Sequence, residues 1–152
     1  MRYSGLQVTF QEIPTEVSLG IHVVGCPLRC PGCHSSDLWH PERGADLNQQ
    51  TLTELITKHK KYISCVLFLG GEWQAHELQQ LIITSKQHEL KTALYSGHSL
   101  EDIPKLLLDT LDYVKYGPYI AEKGGLSSPT TNQKLINLRT GENLNHYFTE
   151  GV

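Results

Sequence analysis

Gly25-Cys26-Pro27-Leu28-Arg29-Cys30-Pro31-Gly32-Cys33-His34 is the stretch on which the reading of this chain turns. Three of the four cysteines fall here, spaced C-x3-C-x2-C and followed by a histidine. A loop this tight brings three thiolates around one point, and soft thiolates select zinc, copper(I) or an iron–sulfur cluster. A [4Fe–4S] cube ordinarily takes four cysteines. Three leave one iron without a protein ligand, and an open coordination position separates a catalytic metal site from a structural one. A small molecule with an amine and a carboxylate can chelate that iron. The competing reading is a zinc knuckle with His34 or Cys65 as fourth ligand.

Upstream, Val17-Ser18-Leu19-Gly20-Ile21-His22-Val23-Val24 reads as a strand buried on both faces, with His22 a hydrogen-bonded core histidine. It delivers the cysteine loop at its C-terminal end, where parallel α/β proteins carry their binding loops. Before it, residues 6–13 alternate weakly and stop at Pro14, as an edge strand or hairpin arm does.

Downstream, the polar loop runs on through Asp46. Thr51-Leu52-Thr53-Glu54 has capping-box form and opens a helix with Leu52, Leu55, Ile56 and Ile63 on one face. Cys65-Val66-Leu67-Phe68-Leu69 reads as a buried strand, with Cys65 an inert core thiol. A helix over residues 75–88 carries Leu78, Leu81 and Ile82 inward, and Lys91-Thr92-Ala93-Leu94-Tyr95 is the next interior strand. Another helix starts near Asp102, its N-cap, with Pro104 in the first turn and Leu106, Leu107 and Leu108 packing inward. Leu111-Asp112-Tyr113-Val114-Lys115-Tyr116 is a fourth interior strand. Strand alternating with helix predicts an α/β fold with a mostly parallel sheet and crossover helices. The repeats are too few to close an eight-stranded barrel, so a partial, open barrel is expected.

At 152 residues the chain reads as a single domain, residues 1–152. Apolar residues make up 39% and charged residues 19%, with a net charge of −3, which is a globular balance and not a disordered one. No lysine- or arginine-rich run suggests nucleic acid or an anionic membrane, and no apolar stretch is long enough to span a bilayer. The N-terminus lacks a signal-peptide layout, and three cysteines in one knot read as a metal site in a cytoplasmic protein rather than a disulfide framework.

Further candidate residues sit at later strand ends. Gly70-Gly71-Glu72 follows the second interior strand. Two glycines let backbone approach a ligand with no Cβ in the way, and Glu72 can accept from an ammonium group. By the same geometry Tyr95-Ser96-Gly97 can meet a ribose or an aromatic base, or make an ordinary turn. Residues 115–133 form a long polar stretch with Gly and Pro, either a lid or a segment crossing the base of the sheet.

C-x3-C-x2-C after an apolar run resembles the radical S-adenosylmethionine superfamily. Residues 25–34 resemble more closely the activating proteins of anaerobic ribonucleotide reductase. So do Gly117-Pro118-Tyr119-Ile120, Gly124-Gly125-Leu126 and Thr130-Thr131-Asn132-Gln133. The chain departs from that pattern at His34, where several of those proteins have Tyr, and at Trp73, where proline is common.

The resemblance implies a partial barrel of the radical S-adenosylmethionine type. It implies a [4Fe–4S] cluster on Cys26, Cys30 and Cys33, and S-adenosylmethionine contacted by Gly32, Cys33, His34, Gly70, Gly71, Glu72 and Ser96. It further implies reductive cleavage of S-adenosylmethionine to form a glycyl radical on the anaerobic ribonucleoside-triphosphate reductase. A flavodoxin-type protein would donate the electron. No side chain is required as an acid–base catalyst. An activator of another glycyl-radical enzyme and a non-catalytic zinc-binding adaptor are the alternatives.

Overall fold

Side chains that alternate between the two faces of short, continuously buried strands build two cores, one on each face of a single sheet. The computed structural model describes residues 1–25 and 44–149. Cys26, Cys30, Gly32, Cys33 and His34 lie outside the described residues. In chain order the elements are β1 (Arg2–Thr9), β2 (Ser18–Val23), β3 (Ala45–Asp46), α1 (Gln49–His59), β4 (Cys65–Leu69), α2 (Ala75–Gln87), β5 (Lys91–Tyr95), α3 (Lys105–Leu108), β6 (Tyr113–Tyr116), β7 (Lys134–Asn137) and α4 (His146–Thr149).

The seven strands lie in the order β3-β1-β2-β4-β5-β6-β7. β2, β4, β5 and β6 run parallel, while β1, β3 and β7 pair antiparallel at the two sides. The sheet is open, with β3 and β7 as its edges. This is a mixed α/β architecture with a mostly parallel sheet, compatible with a partial barrel.

The parallel strands owe their position to their composition. Leu19, Ile21, Val23, Val66, Phe68, Leu94 and Val114 point to one face, where they meet Leu52 and Ile56 of α1, Leu78, Leu81 and Ile82 of α2, and Leu107 of α3. Phe68 is fully buried there, a contribution of about 2–3 kcal/mol. Cys65, Leu67, Ala93, Tyr113 and Leu135 point to the other face. Among the described residues no long helix covers it. Ile13, Leu126 and Leu144, from the turn after β1 and from the C-terminal third, do so instead.

Strands β4 and β5 coincide with the apolar runs that predict them. Elsewhere the local chemistry differs from expectation. Helix α1 begins one turn earlier than the Thr51 capping box implies. Asn48 is its N-cap, and the Asn48 carboxamide oxygen accepts from the Thr51 backbone N–H at 2.9 Å. Asn outranks most residues at that position because its short side chain reaches back to the free first-turn amides. Asp102 does not cap α3. It ends a separate 3₁₀ turn, Leu100–Asp102, after which Ile103 is extended and Pro104 itself stands at the N-cap. A residue before proline is driven out of the helical region, which splits the two turns.

The N-terminal edge of the parallel strands is tied by buried charge. Glu16, 7% exposed, accepts from Ser64 Oγ at 2.9 Å and pairs with Lys91 Nζ at 3.2 Å. Asp112, 3% exposed, accepts from the Thr92 backbone N–H at 2.8 Å and from Arg139 Nε. These contacts pin the starts of β4, β5 and β6 and leave the opposite edge for the loops. Among the described residues no helix is long and apolar enough to cross a membrane.

Candidate functional site

At the C-terminal edge, β2 ends toward Gly25, β4 at Gly70-Gly71-Glu72, β5 at Ser96-Gly97-His98 and β6 at Gly117. Gly25, immediately before Cys26, has φ +97°. Gly70 and Gly71 have φ values of +97° and +110°, where side chains are strained. A Cβ on Gly70 would also stand 2.8 Å from the Trp73 ring. The two glycines turn the chain sharply out of β4 and start the 3₁₀ turn Glu72–Gln74, braced by the Gln74 N–H donating to the Gly71 carbonyl at 2.9 Å.

That turn drives Glu72 inward. Its side chain is 2% exposed, an unusual burial for a carboxylate with no lysine or arginine paired to it among the described residues. Ser96 Oγ donates to Glu72 Oε1 at 2.9 Å. His98 Nδ1 lies 2.9 Å from the same oxygen. A carboxylate oxygen only accepts, so Nδ1 carries the proton. Ser96 Oγ in turn accepts from the His98 backbone N–H at 3.0 Å. Glu72 Oε2, by contrast, is buried with no hydrogen-bond partner among the described residues. A buried acceptor left open costs free energy on the order of 1–3 kcal/mol, and more when charged.

The loop after β5 is itself held to the sheet. The Ser96 N–H donates to the Lys115 carbonyl at 2.8 Å, and the Gly117 N–H donates to the His98 carbonyl at 2.7 Å. The Gly70 N–H donates to the Tyr95 carbonyl at 3.1 Å. Tyr95 turns to the opposite face, where its hydroxyl donates to the Glu12 carbonyl, and burial raises its phenol above the usual tyrosine range.

Residues 117–133 join β6 to β7, whose antiparallel pairing sets Tyr116 opposite Lys134, so both ends of this braced stretch lie at the site's edge of the sheet. Leu126 seats in the second core. Gln133 Nε2 donates to the Gly117 carbonyl at 3.2 Å and Asn132 Nδ2 to the Pro118 carbonyl at 3.0 Å. The expectation that this stretch crosses the base of the sheet does not hold, because it leaves and re-enters the sheet at the C-terminal edge of β6.

The sequence-predicted residues Gly70, Gly71, Glu72 and Ser96 thus come together. Cys65 does not join them. It opens β4, so the strand's length, roughly 13 Å at the usual rise, separates it from Leu69 at the other end. It is fully buried, and burial pushes its thiol up to about 12. An inert core thiol describes it, and the alternative of a fourth metal ligand loses its support. His22 is half-buried beside Gly5. Among the described residues no group of three His, Cys, Asp or Glu side chains can hold a metal ion.

His98 is the residue that sequence reasoning missed. A signal for it existed. β4 and β5 are equally long and pair Cys65 with Lys91 and Leu69 with Tyr95. Glu72 and His98 each stand third after their strand, so parallel pairing brings them side by side.

The donor set at this edge fits an amino-acid-like ligand: an open, buried carboxylate oxygen beside glycine backbone. Comparison with known proteins points to an iron–sulfur family. The model of the 4Fe-4S single cluster domain matches residues 16–136, most of the chain. A 7-carboxy-7-deazaguanine synthase from Hyperthermus butylicus is 36% identical over 67 residues. That stretch spans 43% of this chain and only 28% of the relative's length. Both findings support the radical S-adenosylmethionine superfamily that the cysteine spacing resembles.

Proposed function

The chain belongs to the 4Fe-4S single cluster domain family, and from that premise we propose that it is a radical S-adenosylmethionine enzyme that activates the anaerobic ribonucleoside-triphosphate reductase. In this reading Cys26, Cys30 and Cys33 hold a [4Fe–4S] cluster. The cluster, when bound, supplies the electron that cleaves the sulfonium of S-adenosylmethionine, and the reductase finishes with a glycyl radical. A flavodoxin-type protein is the proposed source of that electron.

One observation carries the reading most: among the described residues Glu72 Oε2 is buried without a partner, at the sheet edge toward which Gly25 leads, one residue before Cys26. An ammonium group satisfies that oxygen and relieves its desolvation cost. The other residues of the chain bind and orient. Gly70 and Gly71 keep side chains out of the turn so that its backbone can approach the ligand. Ser96 anchors Glu72 through Oε1. The hard chemistry belongs to the cofactor.

Mixing the anaerobically reconstituted protein with the reductase, S-adenosylmethionine and a reductant tests the proposal. A glycyl-radical signal in electron paramagnetic resonance is the expected result, and its absence with cluster and cleavage intact counts against this partner. The match to 7-carboxy-7-deazaguanine synthase favours a second reading, in which the chain serves formation of that small molecule. Assaying the same preparation for 7-carboxy-7-deazaguanine separates the two.

A further inference from the structure

We propose that His98 is a positioning residue that fixes which oxygen of Glu72 meets the ligand: it locks Oε1 and so presents Oε2 to the ammonium group of a bound amino-acid-type molecule. This rests on the reading of Glu72 given above.

The geometry is asymmetric. Oε1 has two donors, Ser96 Oγ and His98 Nδ1, each at 2.9 Å, and Oε2 has none among the described residues. A carboxylate held by one donor can turn about its last bond and exchange its oxygens. Two donors on one oxygen oppose that rotation. His98 acts twice, since its backbone N–H also orients Ser96 Oγ at 3.0 Å. The imidazole is itself placed by the sheet, because the His98 carbonyl accepts from the Gly117 N–H at 2.7 Å, at the end of β6. The ring is 23% exposed, so it forms one wall of the site rather than part of the core.

The role belongs to Nδ1, and two substitutions distinguish it from simple packing. His98→Asn places an amide nitrogen near the position of Nδ1. His98→Gln places one near the position of the other ring nitrogen and removes the donor to Oε1. Both are polar and of similar size, and iron content and thermal unfolding check that each holoprotein is intact.

Equilibrium dialysis under anaerobic conditions reads affinity for S-adenosylmethionine and for its analogue in which hydrogen replaces the amino group. The wild-type protein is expected to prefer the amino ligand. His98→Asn should keep that preference to within a few-fold. His98→Gln should lose about tenfold of it, with affinity for the deaminated analogue unchanged. Equal preference in the two variants, or equal loss for both ligands, overturns the positioning role. A wild-type protein that does not distinguish the two ligands overturns the reading of Glu72 itself, and with it this inference.

Discussion

His98 Nδ1 and Glu72 Oε1 lie 2.9 Å apart although 26 residues separate them in the chain. The parallel register of β4 and β5 makes this contact, since Leu69 pairs with Tyr95 and each of the two residues stands third beyond its strand. The result is a buried carboxylate with one oxygen accepting two hydrogen bonds and the other without a partner among the described residues. Such an arrangement is costly without a ligand, and several outcomes follow from it and from the frame that supports it.

Glu72→Gln exchanges a buried carboxylate for a neutral amide. The Tm of the ligand-free protein should stay within about 4 °C, the shift that about 1 kcal/mol makes in a chain of this size. Affinity for S-adenosylmethionine should fall at least about tenfold, as expected when a hydrogen bond to a charged group is lost. Thermal scans with and without the ligand check both, and a ligand-induced stabilisation as large as in the wild type would move Glu72 out of the site.

Gly70→Ala should destabilise the fold. The position has φ +97°, and the added Cβ meets the Trp73 ring at 2.8 Å. Backbone strain of this kind costs about 1–3 kcal/mol before any clash. A lower urea midpoint with an unchanged slope is the expected outcome.

Cys65 gives the protein an alkaline weakness. Burial pushes its thiol from 9.0 up to about 12. The folded state therefore holds the proton more tightly than the unfolded chain. This contribution is fully present below pH 9.0 and is lost as pH rises toward about 12, at up to about 1.4 kcal/mol per unit. Cys65→Ala removes it, so wild-type stability should fall more steeply than the variant's between those limits. Parallel curves would contradict the assignment, as would loss of bound iron in the variant.

Asp112→Ala should cost more than Arg139→Ala. Asp112 is the acceptor for the buried Thr92 N–H at 2.8 Å, and an orphaned buried amide costs about 1–3 kcal/mol. Arg139 is 67% exposed, so solvent screens its pair with Asp112 to less than about 1 kcal/mol. Denaturant titration of the two variants reads the order directly. Both sit at the far edge of the sheet, so neither should change ligand affinity.

The parallel core was legible because its strands are undiluted apolar runs. Cys65-Val66-Leu67-Phe68-Leu69 and Lys91-Thr92-Ala93-Leu94-Tyr95 match β4 and β5 residue for residue. The borders were less so. β7, Lys134–Asn137, is too short and too mixed to stand out beside a polar loop, and only pairing with β6 makes it a strand. Thr51 looked like a cap because its sequence context fits, while Asn48 takes the role through geometry that spacing alone does not fix. At the site, Gly70, Gly71, Glu72 and Ser96 were readable as strand-end residues. His98 was not, because its meaning lies in a partner on another strand.

We propose a three-cysteine iron–sulfur centre beside a sheet edge that takes an amino-acid-type ligand. Electron paramagnetic resonance of the anaerobically reconstituted, reduced protein tests it most directly, recorded before and after S-adenosylmethionine is added. The expected result is a reduced-cluster signal that changes shape when the ligand is added and keeps its original shape with the deaminated analogue. A signal indifferent to S-adenosylmethionine, or a colourless protein carrying one zinc, would contradict it.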